Sequence, residues 1–211
     1  MIDQLIQAYC DNHTTQESGL LAELNRETHA KILQPRMLSG HFQGRFLSLI
    51  SKLARPSLIL EIGTFTGYSA LCLAEGLTPE GRLITIDVNE ELEQFTRGYF
   101  NKSPYAHQIE YIIGNARDIL PSYKDLRIDL VFIDADKQSY QQYYDLVKPL
   151  MNKGGLIIAD NILWDGKVPD PKHKDKKTTH LRDFNLNAHT DSQTENILLP
   201  IRDGLMISRI I

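Results

Sequence analysis

Cysteine is scarce in this 211-residue chain: Cys10 and Cys72 stand alone, in no spacing that would suit a metal. A disulfide scaffold and a cysteine-built zinc site are therefore not indicated. Positive charge is not in excess either. Lys and Arg number 23 against 27 Asp and Glu, a net charge of −4, so no charge over the whole surface draws the chain to DNA. No apolar run is long enough to span a bilayer, and the opening MIDQLIQAYC is too polar for a secretory core. A protein of the cytoplasm with no membrane or DNA partner is the expectation. Internal repeats, an inter-domain linker and the dinucleotide fingerprint G-x-G-x-x-G are also missing.

What is present reads as one domain over 1–211, with a helical cap at 1–54 and a core at 55–211. In the cap, Leu5, Ala8 and Tyr9 share one helical face. Leu20, Leu21 and Leu24 continue the pattern, Pro35 and Gly40 interrupt it, and Phe42, Phe46, Leu49, Ile50 and Leu53 mark a third helix. After Pro56 the rhythm changes. SLILEIG, GRLITID, QIEYIIG, IDLVFID and GGLIIAD read as strands separated by helical segments, with Asn89 as a cap for the second of these. Five strands with intervening helices predict right-handed parallel crossovers and a doubly wound sheet. TENILLPI and GLMISRII, joined through Arg202–Asp203 before Gly204, predict an antiparallel hairpin along one edge. Asp165–His180, rich in Lys, Pro and Asp, reads as a long loop that either covers a site or is a solvated surface segment.

Chemistry collects at strand ends. Leu130–Ile133 runs into Asp134, and Leu156–Ala159 runs into Asp160 and Asn161. Open α/β sheets bind ligands outside the carboxyl ends of their strands. If these strands are neighbours, three oxygen donors converge, a set that suits a hard cation such as Mg²⁺ or Ca²⁺. Lys137, one turn past Asp134, would overhang the spot; alternatively it is a surface lysine opening a helix. At the first strand, Gly63 and Gly67 allow a tight turn and close backbone approach. Asp87 follows at the distance where such folds hold ribose hydroxyls, although a strand-end cap is the alternative. Glu61, between Leu60 and Ile62, is costly to bury unless a donor-bearing ligand or an internal cation meets it.

Seven motifs together (MLSGHFQGRFL, EIGTFTGYSAL, ITIDVN, GNARDIL, FIDADKQSYQQYY, GGLIIADNILWDGKV and PIRDGLMISR) resemble the metal-dependent class I O-methyltransferases of the caffeoyl-CoA and catechol type. The resemblance runs from about Met37 onward. It implies a Rossmann-like, seven-stranded, mostly parallel sheet with its last strand reversed. It further implies S-adenosyl-L-methionine as donor, held by Met37, Ser39, Glu61, Gly63, Ser69, Asp87, Ala116 and Asp134. A divalent cation would sit on Asp134, Asp160 and Asn161, and Lys137 would be the general base. Trp164 would wall the acceptor pocket, with Arg182 bordering it. The segment HFQGRFL departs from the acidic pair that many relatives carry before the glycine, which leaves substrate contacts at His41 and Phe42 without support.

The acceptor implied is a small molecule with catechol-like or vicinal hydroxyls. An alternative in the same superfamily is the 5-hydroxyuridine of tRNA, where the Lys-rich loop would meet phosphates. A nucleotide-binding module without catalysis is disfavoured by the missing fingerprint and the acidic trio. Such enzymes are commonly homodimers, and the helical cap could supply the interface.

Overall fold

A computed structural model describes residues 4–211. Three helices come first: α1 (Gln4–Asn12), α2 (Gly19–Lys31) and α3 (Gly40–Ala54). Ser18 caps α2 by accepting from the Leu21 amide, and a 3₁₀ turn at Pro35–Met37 separates α2 from α3. The core then alternates β1 (Leu58–Ile62), α4 (Tyr68–Ala74), β2 (Arg82–Asp87), α5 (Glu93–Lys102), β3 (Ile109–Ile113), α6 (Ala116–Ile119), β4 (Ile128–Ile133), α7 (Tyr140–Val147) and β5 (Met151–Asp160). Helix α8 (Lys176–Thr190) and strands β6 (Thr194–Leu199) and β7 (Leu205–Ile210) complete it.

The sheet order is β3-β2-β1-β4-β5-β7-β6. β1 to β5 pair in parallel, while β7 is antiparallel to both neighbours. The expected hairpin is therefore formed, but its second strand inserts between β5 and β6. Both faces of the inner strands are covered, which explains their unbroken apolar runs. Leu60, Ile62, Val131, Ile133, Ile157 and Ala159 pack toward α7 and α8; Ile59, Leu83, Leu130, Phe132 and Ile158 pack toward α2–α5. The order reverses between β1 and β4, so the crevice for ligands lies at their carboxyl ends.

One local expectation is corrected. The segment Asp165–His180 is not all loop: its last five residues form the first turn and more of α8. Asp175 starts that helix, accepting from the Thr178 amide at 3.1 Å and from the Thr178 hydroxyl at 2.7 Å. On α7, the Tyr140 hydroxyl accepts from Lys137 and the Tyr144 hydroxyl donates to Asp191. Cys72 is fully buried, as its apolar context implies. None of the described helices is long and apolar enough to cross a membrane.

The α3–α4 contact carries the densest surface-proximal charge cluster. Glu75 accepts from Arg45 at 2.6 and 3.0 Å, from Ser48 at 2.7 Å and from Lys52 at 2.6 Å. These donors outweigh the burial that acts against the carboxylate and hold it at about 2 against an ordinary 4.5. A depressed folded value adds stability above about 4.5 and loses it as pH falls toward 2. Glu75→Gln should therefore destabilise the protein at neutral pH by about 1–2 kcal/mol, allowing for solvent screening. It should also flatten the acid limb of a Tm-versus-pH curve; an acid limb identical to that of the unmodified protein would contradict this role.

Candidate active site

β1 ends in Gly63 at a left-handed φ of +102°, and β4 ends beside it. A Cβ on Gly63 would lie 2.1 Å from the Asp134 carbonyl oxygen, so only glycine lets the two strand tips approach this closely. The Asp134 amide donates to the Ile62 carbonyl at 2.9 Å and locks that approach. A cavity opens above it, lined by Met37, Ser39, Gly63, Ser69 and Asp134, with Thr64, Phe65 and Tyr68. Five residues named from the sequence for the cofactor thus meet in one place.

Glu61 lies beneath the cavity, with no exposed surface. The Thr85 hydroxyl donates to its Oε2 at 2.5 Å, and Oε1 has no partner. Burial pushes its pKa up to about 8 against the pull of Ser69 and Thr85. An orphaned, fully buried acceptor next to a cavity fits a ligand that brings its own donor. No internal lysine or arginine meets it.

Asp87, at the tip of β2, accepts from the Phe65 amide at 2.7 Å and the Asn89 amide at 2.9 Å. It braces the β1–α4 turn. Ala116 is buried at the start of α6, which Asn115 caps. These two extend the row of strand-end residues along the sheet, beyond the residues that line the cavity.

The acidic tips are neighbours: β4 and β5 pair in parallel with Ile133 opposite Ala159, so Asp134 and Asp160 are next in register. Asp160 is 2% exposed. Burial, then the charge of Asp134, raises its pKa. A buried carboxylate beside a second one, with an amide side chain adjacent, forms an oxygen donor set of the kind that a divalent cation takes. Among the described residues no three His, Cys, Asp or Glu side chains form a metal cluster; this set consists of two carboxylates and Asn161. Asn161 adopts φ +57° and donates its amide to Asp160 Oδ1 at 2.6 Å.

Lys137 Nζ is held from two sides, donating to Asp134 Oδ1 at 2.7 Å and to the Tyr140 hydroxyl at 2.7 Å. That hydroxyl donates onward to the Asp160 carbonyl at 3.0 Å. The lysine side chain is 11% exposed, so it belongs to the site and not to the open surface. Trp164 is half-buried, with Lys177 Nζ 5.7 Å from its ring centre. Arg182 turns elsewhere. Its guanidinium donates to the carbonyls of Val168 at 3.0 Å, Asp170 at 3.1 Å, His173 at 3.2 Å and Lys167 at 3.4 Å. It organises the loop behind Trp164 and has few donors left for a substrate.

Three residues beyond the sequence expectation shape this site. Tyr140 fixes Lys137. Gln43, fully buried on α3, donates to Asp160 Oδ2 at 2.7 Å. Arg202 reaches from the β6–β7 turn to the Leu38 and Ser39 carbonyls.

The sequence profile of the O-methyltransferase family matches residues 11–211. The chain belongs to that family. This O-methyltransferase is 35% identical over 195 residues to caffeoyl-CoA O-methyltransferase 1 of Nicotiana tabacum, a match that covers 87% of this chain and 82% of the relative. Among solved structures it is similar to the O-methyltransferase TomG of Streptomyces achromogenes in complex with SAM, with TM-score 0.88, 28% identity, and coverage of 100% and 99% of the two chains. The O-methyltransferase of Bacillus cereus in complex with SAH gives TM-score 0.90 at 27% identity, covering 98% and 97%. The Rossmann-like sheet with a reversed β7 is the architecture the motifs implied.

Proposed function

We propose that this O-methyltransferase moves the methyl group of S-adenosylmethionine to a hydroxyl of a small acceptor with catechol-like or vicinal oxygens, assisted by Mg²⁺ or Ca²⁺. The observation that carries this reading is the juxtaposition of Asp134, Asp160 and Lys137 beside the Gly63–Ser69 cavity, with the unpartnered oxygen of Glu61 buried two residues before Gly63. S-adenosylmethionine would supply an electrophilic methyl group, and a divalent cation held here would supply the positive charge that makes an acceptor hydroxyl more acidic. Met37, Ser39, Gly63 and Ser69 would hold the donor's methionine end above Glu61, with Asp87 and Ala116 toward ribose and adenine. Asp134, Asp160 and Asn161 would hold the cation. Lys137 in its neutral amine form would accept the hydroxyl proton at Nζ and become the ammonium that Asp134 and Tyr140 orient. Trp164 offers an aromatic wall to a planar acceptor.

The test is methyl transfer from labelled S-adenosylmethionine to a panel of catechols and matched monophenols, with Mg²⁺ and with chelator. Catechol methylation that chelator abolishes is expected. Transfer indifferent to chelator, or none to any ortho-dihydroxy compound, would overturn the reading.

Glu61 gives a second check. Its acid form persists up to about pH 8, and the ionised form receives a cationic or donor-bearing ligand better. S-adenosylhomocysteine affinity should therefore rise from pH 6 to 8, by up to about tenfold per unit, and binding should release a proton. Calorimetry in buffers of different ionisation enthalpy reads both. A flat profile would detach Glu61 from the cofactor.

The exposed Lys172, Lys174, Lys176 and Lys177 favour one second reading, tRNA carrying 5-hydroxyuridine. Transfer of label to such tRNA in preference to every phenol would select it. Oligomerisation is proposed through the helical cap, where Ile6, Tyr9, Leu49 and Leu53 are exposed. Sedimentation of the protein as a dimer is the expected result.

A further inference from the structure

The turn between β6 and β7 touches two sides of the site without lining the cavity. Arg202, at φ +48°, points to one side. Its Nη1 donates to the Leu38 carbonyl at 3.0 Å, to the Ser39 carbonyl, and to Gln43 Oε1 at 3.4 Å. Gln43 in turn donates Nε2 to Asp160 Oδ2 at 2.7 Å. The amide is thus read from both ends: its oxygen faces a cation and its nitrogen a carboxylate, and a flipped Gln43 would oppose both. Through these bonds one guanidinium steadies a wall of the cofactor cavity and the buried acid at the tip of β5.

Asp203, the next residue, points the other way. Its Oδ1 accepts from the Asp165 amide at 2.6 Å, and its carbonyl accepts from the Leu163 amide at 2.8 Å. The Gly204 carbonyl accepts from the Ile162 amide at 3.2 Å. The segment after Asn161, which carries Trp164, is zipped to the turn along its length. The packing leaves no slack, since a Cβ on Gly204 would lie 2.5 Å from the Leu163 side chain. Among the described residues, four of the seven non-glycine residues with positive φ (Asn161, Trp164, Asp165 and Arg202) lie in these two segments. Left-handed backbone in such residues persists only where surrounding bonds over-determine it.

We propose that Arg202 and Asp203 are positioning residues with divided labour. Arg202 orders the donor and acid side through Leu38, Ser39 and Gln43. Asp203 orders the acceptor wall through Asp165 and Trp164. The assignment of sides rests on the proposed methyl-transfer function; the division between the two residues rests on the bonds alone.

Two readouts that need no turnover separate the roles. One is calorimetric affinity for S-adenosylhomocysteine. The other is the fluorescence of Trp164, which as the only tryptophan of the chain reports its own wall. Arg202→Ala should weaken S-adenosylhomocysteine roughly tenfold and leave acrylamide quenching of Trp164 unchanged. Asp203→Ala should raise quenching and leave the affinity unchanged. Asp203→Asn should restore normal quenching, because the amide oxygen still accepts from Asp165. Thermal melts accompany each variant; if Arg202→Ala fails to fold, Arg202→Lys, which can reach only part of the carbonyl set, carries the test with a smaller loss. Both readouts moving together in both variants, or neither moving in either, would reduce the turn to a structural closure and overturn the proposal. Failure of the unmodified protein to bind S-adenosylhomocysteine would instead sink the functional reading, and the quenching contrast would still judge the division.

Discussion

Asp160→Ala should lower methyl transfer by roughly 10²–10³-fold, the scale of losing a preorganised electrostatic group, while S-adenosylhomocysteine affinity changes little. The asymmetry follows from placement. Asp160 lies at the tip of β5, one strand away from the cavity that Met37, Ser39, Gly63 and Ser69 line, and is not among its lining residues. Both its oxygens are engaged within the protein, by Gln43 and by the Asn161 amide. Removing them also orphans the buried Gln43 amide, at a stability cost of about 1–3 kcal/mol. Single-turnover transfer across a Mg²⁺ series, paired with calorimetry and a melt, separates these effects. Loss of cofactor binding in step with turnover would show that the acid serves the donor and not a cation.

Lys137→Ala should lower kcat by roughly 10²–10⁴-fold, with acceptor KM moving much less. The amine is held 2.7 Å from both Asp134 Oδ1 and the Tyr140 hydroxyl, which leaves it few rotamers and aims it at the acidic tips. Lys137→Arg keeps the charge but supplies no base at neutral pH, so it should not rescue. Turnover in the arginine variant near that of the unmodified protein would recast Lys137 as an electrostatic anchor. Unchanged turnover in the alanine variant would remove it from the chemistry.

The parallel core was legible because strands buried on both faces leave continuous apolar runs, and their acidic ends mark the crevice. β1, β4 and β5 with Gly63, Asp134 and Asp160 are of this kind. Strand order was less accessible. The Arg202–Asp203–Gly204 turn announced a hairpin, but nothing local says that β7 slips between β5 and β6. The loop read as far as His180 overruns the first five residues of α8. Lys176–Thr190 is sparsely apolar, so periodicity is weak, and the decisive signal was the Asp175 cap with Thr178. Gln43 and Asp160 are 117 positions apart, and Arg202 and Ser39 are 163 apart. Bonds at such separations leave no spacing to read, and they also account for Arg182, whose partners are carbonyls supplied by loop backbone and not by any side-chain pattern.

The place of β7 has a consequence for synthesis. β7 leaves the ribosome after the other six strands of this sheet, yet it fills the position next to β5. Until they emerge, the nascent five-stranded sheet carries an open, apolar edge along β5, the kind of surface that invites pairing with another chain. The bracing turn arrives at the same moment. Ribosome-stalled chains ending before Leu205 should therefore depend on holdase chaperones and bind no cofactor, and emergence of β7 should deliver a closed sheet edge and a finished site in a single step.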